Sequence, residues 1–120
     1  MATFSKEILS GSTDGRAIKV AATATAGTTI HTGSTTATTF DEVWLYAVNS
    51  STAAVKLTIE YGGTSSPDDL IEFTVQPESG LYLIVPGLVI KGNATALVIR
   101  AFAGTANVIN IVGYVNRITA

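Results

Sequence analysis

Seven consecutive residues, Val55-Lys56-Leu57-Thr58-Ile59-Glu60-Tyr61, place an apolar side chain at every odd position and a polar or charged one at every even position. A period of two is the period of a pleated strand, and a helix would scatter the same set around its whole surface. Ile71-Glu72-Phe73-Thr74-Val75-Gln76 repeats the pattern. At least two segments must therefore turn one face to a core and the other to water. No helical periodicity interrupts the rest of the chain, so the fold class is all-β.

Alternation and turn residues together predict eight to nine short strands, near 4–9, 16–22, 27–32, 42–49, 54–61, 70–76, 80–90 with a break, 95–103 and 107–118. The separators supply positive φ, fixed φ or side chains that cap their own backbone: Ser12-Thr13-Asp14-Gly15, Asn49-Ser50-Ser51, Gly62 to Asp69, Pro77-Glu78-Ser79-Gly80, Pro86-Gly87 and Gly92-Asn93. Strands at this spacing describe an antiparallel sandwich or barrel, and 120 residues suit one domain, 1–120. Pro86 interrupts the apolar run Leu81 to Ile90, where it lacks a ladder donor, so the strand must bend or lie at an edge. The Pro86-Gly87 pair is expected to form a corner that carries the chain from one sheet to the other.

Charged residues are 13% of the chain, against roughly 25% in ordinary soluble domains. The surface must then be built largely from Thr, Ser, Ala, Gly and Asn. Two readings fit: a Thr-rich β-protein kept soluble by hydroxyls, or one with a large protein-protein interface. The net charge is −2 and the seven Lys and Arg are scattered, which argues against binding of nucleic acid or an anionic membrane. No stretch approaches the roughly 18 apolar residues of a membrane span. The N-terminal residues carry acid and base before any apolar run, so no standard export signal is expected. Without cysteine, stability rests on packing and ladder hydrogen bonds.

Two regions break the simple pattern. The Thr/Ala-rich stretch at about 21–39 is nearly free of charge and of large side chains. It is expected to be an extended strand pair with a solvated loop, the alternative being a segment ordered by a neighbouring subunit. In Val108 to Ile118 both faces are largely apolar: Ile109, Ile111, Gly113 and Val115 on one, Val108, Val112, Tyr114 and Asn116 on the other. One face can enter the core, whereas the second needs another cover, either a loop of the same chain or another protein. Val98 and Phe102, alternating with Leu97, Ile99 and Ala101, pose the same question.

The chemical inventory is sparse. His31, the sole histidine, sits among threonines with no strong ligand near it in sequence, and reads as a surface or interface imidazole. Asp68, Asp69 and Glu72 form the densest acidic patch. Their spacing matches no calcium loop and is better explained as turn chemistry. Glu60 and Glu72, on the polar faces of alternating strands, are expected to face solvent, which leaves no carboxylate pair for glycoside hydrolysis. No Gly-x-Ser-x-Gly elbow accompanies the lone histidine. An enzyme, a metal site and a cofactor are therefore not expected. Trp44, Tyr46 and Val48 alternate with Val43, Leu45 and Ala47. They read as a central strand covered on both sides, the alternative being a sugar-stacking platform.

The segments Thr3 to Val20, Asp41-Glu42-Val43-Trp44-Leu45-Tyr46-Ala47 and Gly113-Tyr114-Val115-Asn116-Arg117-Ile118 carry a resemblance that extends over nearly the whole chain. The chain resembles small structural proteins of tailed bacteriophages. That resemblance implies a jelly-roll-like antiparallel β-sandwich acting as a capsid decoration, or cement, protein, which clamps neighbouring major capsid protein subunits. Related small β-domains also serve in phage necks and tails. It further implies a homotrimer at a local three-fold position on the virion surface, after synthesis in the host cytoplasm. Contacts with partners are expected around Phe4, Ile8, Ile30, Val112 and Tyr114. A carbohydrate-binding module using Trp44 and Tyr46 is a competing reading from another class.

Overall fold

A computed structural model describes residues 2–119 and contains nine strands among them: β1 (Thr3–Ile8), β2 (Ile18–Lys19), β3 (Thr28–Thr32), β4 (Thr39–Asn49), β5 (Val55–Tyr61), β6 (Leu70–Val75), β7 (Tyr82–Lys91), β8 (Val98–Ala103) and β9 (Ile109–Thr119). All pair antiparallel, in two sheets. The larger sheet runs β1-β9-β4-β7, with β2 also on β9, and the smaller runs β3-β8-β5-β6. β1 and β2 take successive parts of one edge of β9, Tyr114 to Thr119 and then Asn110 to Ile111. Counted as one broken strand, they reduce the chain to eight strands whose sheets are ordered 1-8-3-6 and 2-7-4-5. That is the double Greek key of a jelly roll.

The core lies between the sheets and is filled by the inward positions of each alternating strand. Val43, Leu45 and Ala47 of β4 and Ile109, Ile111 and Val115 of β9 meet Leu57 and Ile59 of β5 and Ile99 and Ala101 of β8. Burying each such side chain contributes roughly 1.5–3 kcal/mol. Ile30 of β3 is 0% exposed, so it belongs to this core and offers no surface to a partner, contrary to the expectation for it. The molecule is elongated, 48 × 27 × 21 Å. All six residues of β1 are exposed on both faces.

Pro86-Gly87 does not turn a sheet corner. β7 continues through both residues as the edge strand of the larger sheet, and register shifts on its β4 partner, at Val43/Trp44 and Leu45/Tyr46, absorb the irregularity. An edge strand has a side on which no donor is needed, which is where the proline is tolerated. Gly87 has φ +76°, and a Cβ on it would come within 2.7 Å of the Trp44 ring. Glycine therefore lets the indole lie against the β7 backbone.

The Thr/Ala-rich stretch holds one complete strand, β3, in place of the expected pair, and its first part is a loop whose residues 21 and 23–26 are exposed, as expected, but which is also tied down to the sheet. Residues 21–27 fold back over the outer face of the smaller sheet, where Glu60 Oε1 accepts from the Gly27 amide (2.7 Å) and Oε2 from the Thr25 hydroxyl (2.8 Å). Glu60 is 0% exposed, which corrects its expected place in solvent. Ala22 also accepts from the Ala103 amide, so the loop extends the ladder past the start of β3. Glu72 does face outward and pairs with Lys56 at 3.2 Å.

Candidate interaction surface

Alternation along β4 sends Phe40, Glu42, Trp44, Tyr46 and Val48 away from the core. The register carries the same outward face across the sheet. Phe4 lies opposite Ile118, which lies opposite Phe40; Ile8, Tyr114, Trp44 and Pro86 form a second row; Val112, Tyr46 and Leu83 form a third. Among the described residues no strand pairs over these rows: at their ends Phe4 is 70% exposed, Ile8 53% and Leu83 46%, while Phe40, Trp44, Tyr46, Val112, Tyr114 and Ile118 between them are half-buried against one another. The expected double cover of Trp44, Tyr46 and Val48 is thus absent among the described residues. Four of the five residues expected at interfaces, Phe4, Ile8, Val112 and Tyr114, fall on this one face.

The centre of the face is aromatic and organised. The Trp44 and Tyr114 rings stack nearly parallel, 14° apart with centroids 6.2 Å apart. The Lys6 ammonium sits 4.8 Å from the Tyr114 ring centroid, within cation–π range. Glu42 Oε1 accepts from the indole Nε1 of Trp44 (2.8 Å) and from Asn116 Nδ2 (2.9 Å). These two donors, Trp44 first, hold the Glu42 carboxyl below its ordinary range. A shallow depression of about 230 Å³ lies beside them, lined by Phe4, Ser5, Lys6, Glu42, Asn116 and Ile118. Sequence reasoning found the aromatic residues here but not Lys6, Glu42 and Asn116, which only the β1-β9-β4 register brings side by side.

The opposite face of the same strands carries a buried polar clip. Asp41, 1% exposed, accepts from Arg117 through both oxygens (Nε to Oδ1 2.8 Å, Nη2 to Oδ2 2.9 Å) and from His31 Nε2 at 2.8 Å. The Ser10 amide donates to His31 Nδ1 at 3.1 Å, which leaves the ring proton on Nε2, aimed at Asp41. Burial alone would raise the Asp41 carboxyl, but hydrogen bonds from Arg117 and His31, together with the Arg117 charge, hold it below its ordinary value. Asp41 in turn raises the Arg117 guanidinium further. Burial pushes the Tyr61 phenol up to about 12, with the Asp41 charge adding to it. His31 is therefore neither a surface nor an interface imidazole: it is 2% exposed and ties β3 of the smaller sheet to β4 of the larger.

Asp68 and Asp69 lie in the connection before β6, and the Asp69 carboxylate accepts from the Ser65 amide at 3.0 Å, the turn role expected for it. Among the described residues no three His, Asp or Glu side chains converge to hold a metal ion.

No protein-family model, curated protein sequence or solved structure matches this chain.

Proposed function

We propose that this chain is a structural protein of a phage virion, a decoration protein that binds the outer capsid lattice and stabilises contacts between major capsid protein subunits. The observation that carries the reading is the bare outer face of the larger sheet. Its aromatic and aliphatic rows, from Phe4 across to Leu83, are left without cover by the chain's own fold. Apolar area of this kind marks a surface meant to be buried. Two further points support the reading: the resemblance of three segments to small tailed-phage structural proteins, and a strand order shared with viral capsid domains, the latter by analogy of fold alone. Many identical copies on a shell act together, so modest contacts sum to a large resistance to bursting. A head-to-tail connector or tail part would use the same face in a ring of about a dozen copies, as closed cyclic symmetry permits.

The experiment is retention of the purified chain on empty shells of its parent virion, together with its copy number in intact particles. Retention and hundreds of copies are expected for decoration, and about a dozen copies for a connector. A chain that shells do not retain and virions do not contain removes the proposal.

One observation favours a second reading. Trp44 and Tyr114 present an aromatic pair flanked by a carboxylate, an amide and an ammonium, which is the composition of a sugar-binding platform. Lectins use jelly rolls as well. Retention on a glycan array that Trp44→Ala abolishes, without shell binding, would favour this reading over the first.

A further inference from the structure

We propose that the bare face of the larger sheet is covered in part by a second copy of this chain, docked head to tail through the acidic edge along β6. The inference rests on reading that face as an interface, and what it adds is the identity of the occupant, argued from charge.

The face has a basic rim. Lys6 lies opposite Asn116, Lys19 opposite Asn110 and Lys91 opposite Phe40, so all three point outward with the apolar rows, one on β1, one on β2 and one on β7. All three are exposed, and none forms a salt bridge among the described residues. The one acid on the face, Glu42, has Oε1 committed to Trp44 and Asn116. The chain as a whole is acidic, with nine Asp and Glu against seven Lys and Arg. The other eight carboxylates therefore face only four cations.

The surplus lies along β6, the free edge of the smaller sheet. Asp68 and Asp69 precede the strand, Glu72 lies in it and Glu78 follows it, with Lys56 the one cation paired there. Exposed Phe73 and Leu81 give the same edge an apolar component, and the Phe73 ring packs on Tyr82 at 5.3 Å to join the β6 and β7 edges. The lengths agree. Lys91 and Lys19 sit at the register of Phe40 and Val48 on β4, about 26 Å apart along the strands and three strand spacings, about 14 Å, across them, hence about 30 Å apart, and Asp69 to Glu78 spans at most about 30 Å.

Face-to-face pairing about a two-fold axis would set lysine rim against lysine rim, which like-charge repulsion opposes. A basic face on an acidic edge is instead a heterologous contact, and such contacts close into rings when the rotation allows. The lysine rim of every copy then meets the β6 edge of the next, and the part of the face that a single strand edge is too narrow to reach stays open to the shell.

Sedimentation equilibrium on the full chain tests this. The wild-type chain is expected to exceed the 12.4 kDa of one copy and to dissociate on raising the salt, as screened charges require. Lys6→Glu with Lys91→Glu should reduce the mass to one chain, and so should Asp68→Lys with Glu78→Lys. All four changes in one chain restore opposite signs across the contact and should restore the oligomer, which separates lost complementarity from lost folding. A wild-type chain that stays single at every concentration overturns the proposal, as does an oligomer that the lysine reversals leave intact or one that the fourfold variant fails to restore. Retention on shells is read separately: a single chain that shells retain keeps the decoration role and removes the self-contact, and an oligomer that shells ignore does the reverse.

Discussion

β4 presents two faces with the same spacing and opposite logic. The inward residues Asp41, Val43, Leu45, Ala47 and Asn49 are all buried, and they include a carboxylate. The outward residues Phe40, Glu42, Trp44, Tyr46 and Val48 hold the strand's aromatic rings and stay partly open to solvent. Hydrophobicity alone would assign the rings to the core and the acid to water. What decides is cover: the smaller sheet lies over the inward side, and among the described residues no strand pairs over the outward side. The charge is tolerated inside because Arg117 and His31 pair and hydrogen-bond it completely. The aromatic face has no such internal explanation, which is why it is assigned to a partner.

The largest effect that can break this contrast is expected at Asp41. Asp41→Ala leaves the Arg117 guanidinium without its bidentate partner and His31 Nε2–H without an acceptor, and should cost about 3–5 kcal/mol in urea unfolding. A pH series sharpens it. The folded carboxyl titrates below its ordinary 3.8, so its contribution is complete above that value and is lost as the pH falls through the folded value. Wild-type and variant stabilities should therefore differ at neutral pH and converge in acid. A difference that stays constant down to the acid limit would mean that the carboxylate's charge is not what the clip uses.

Glu60 comes next, because it tests the one outward sheet face that the chain covers itself. Glu60→Ala removes the acceptor for the Gly27 amide and the Thr25 hydroxyl, at a cost of roughly 1–3 kcal/mol. Amide exchange should accelerate across residues 21–27, with much less change in the ladders of β5 and β8. Uniform acceleration over the whole smaller sheet would mean that the loop supports the sheet as well as covering it.

These two residues also mark how far the sequence could be read. The alternations of β4, β5 and β9 were legible, because a period of two is local and each strand needs only one buried face. The sandwich and its number of strands followed. Glu60 was misplaced because its cover arrives from a loop more than thirty residues upstream, and nothing in Val55 to Tyr61 announces it. His31 was misread for the same reason: Asp41 lies ten residues away and Arg117 much further, joined only by the packing of β3 against β4 and β9. Pro86 was narrowed to a bend or an edge by its missing donor, and the choice between them depended on the partner strand. Ile30 was expected at a partner contact, yet β3 turns it inward. Of the candidate surface, the two-faced character of β9 was visible, whereas the grouping of Lys6, Glu42, Asn116 and Trp44 required the register of three strands.

The smallest effect on stability is expected at Trp44, and it bears most directly on the contrast between faces. A core tryptophan truncated to alanine costs about 3–5 kcal/mol. Trp44 packs on Gly87 and Tyr114, donates to Glu42 and stays half-buried, so Trp44→Ala should cost only about 1–2 kcal/mol, close to the worth of one aromatic pair and one hydrogen bond. Leu45→Ala, one residue along and 0% exposed, should cost roughly 2–5 kcal/mol. Association should rank the two in the opposite order: Trp44→Ala weakens the oligomer and shell retention strongly, and Leu45→Ala, studied where it remains folded, leaves both nearly intact. Equal losses of stability at the two positions would show that the outward face of β4 is held by the chain's own fold, and the case for a partner over Trp44 would end there.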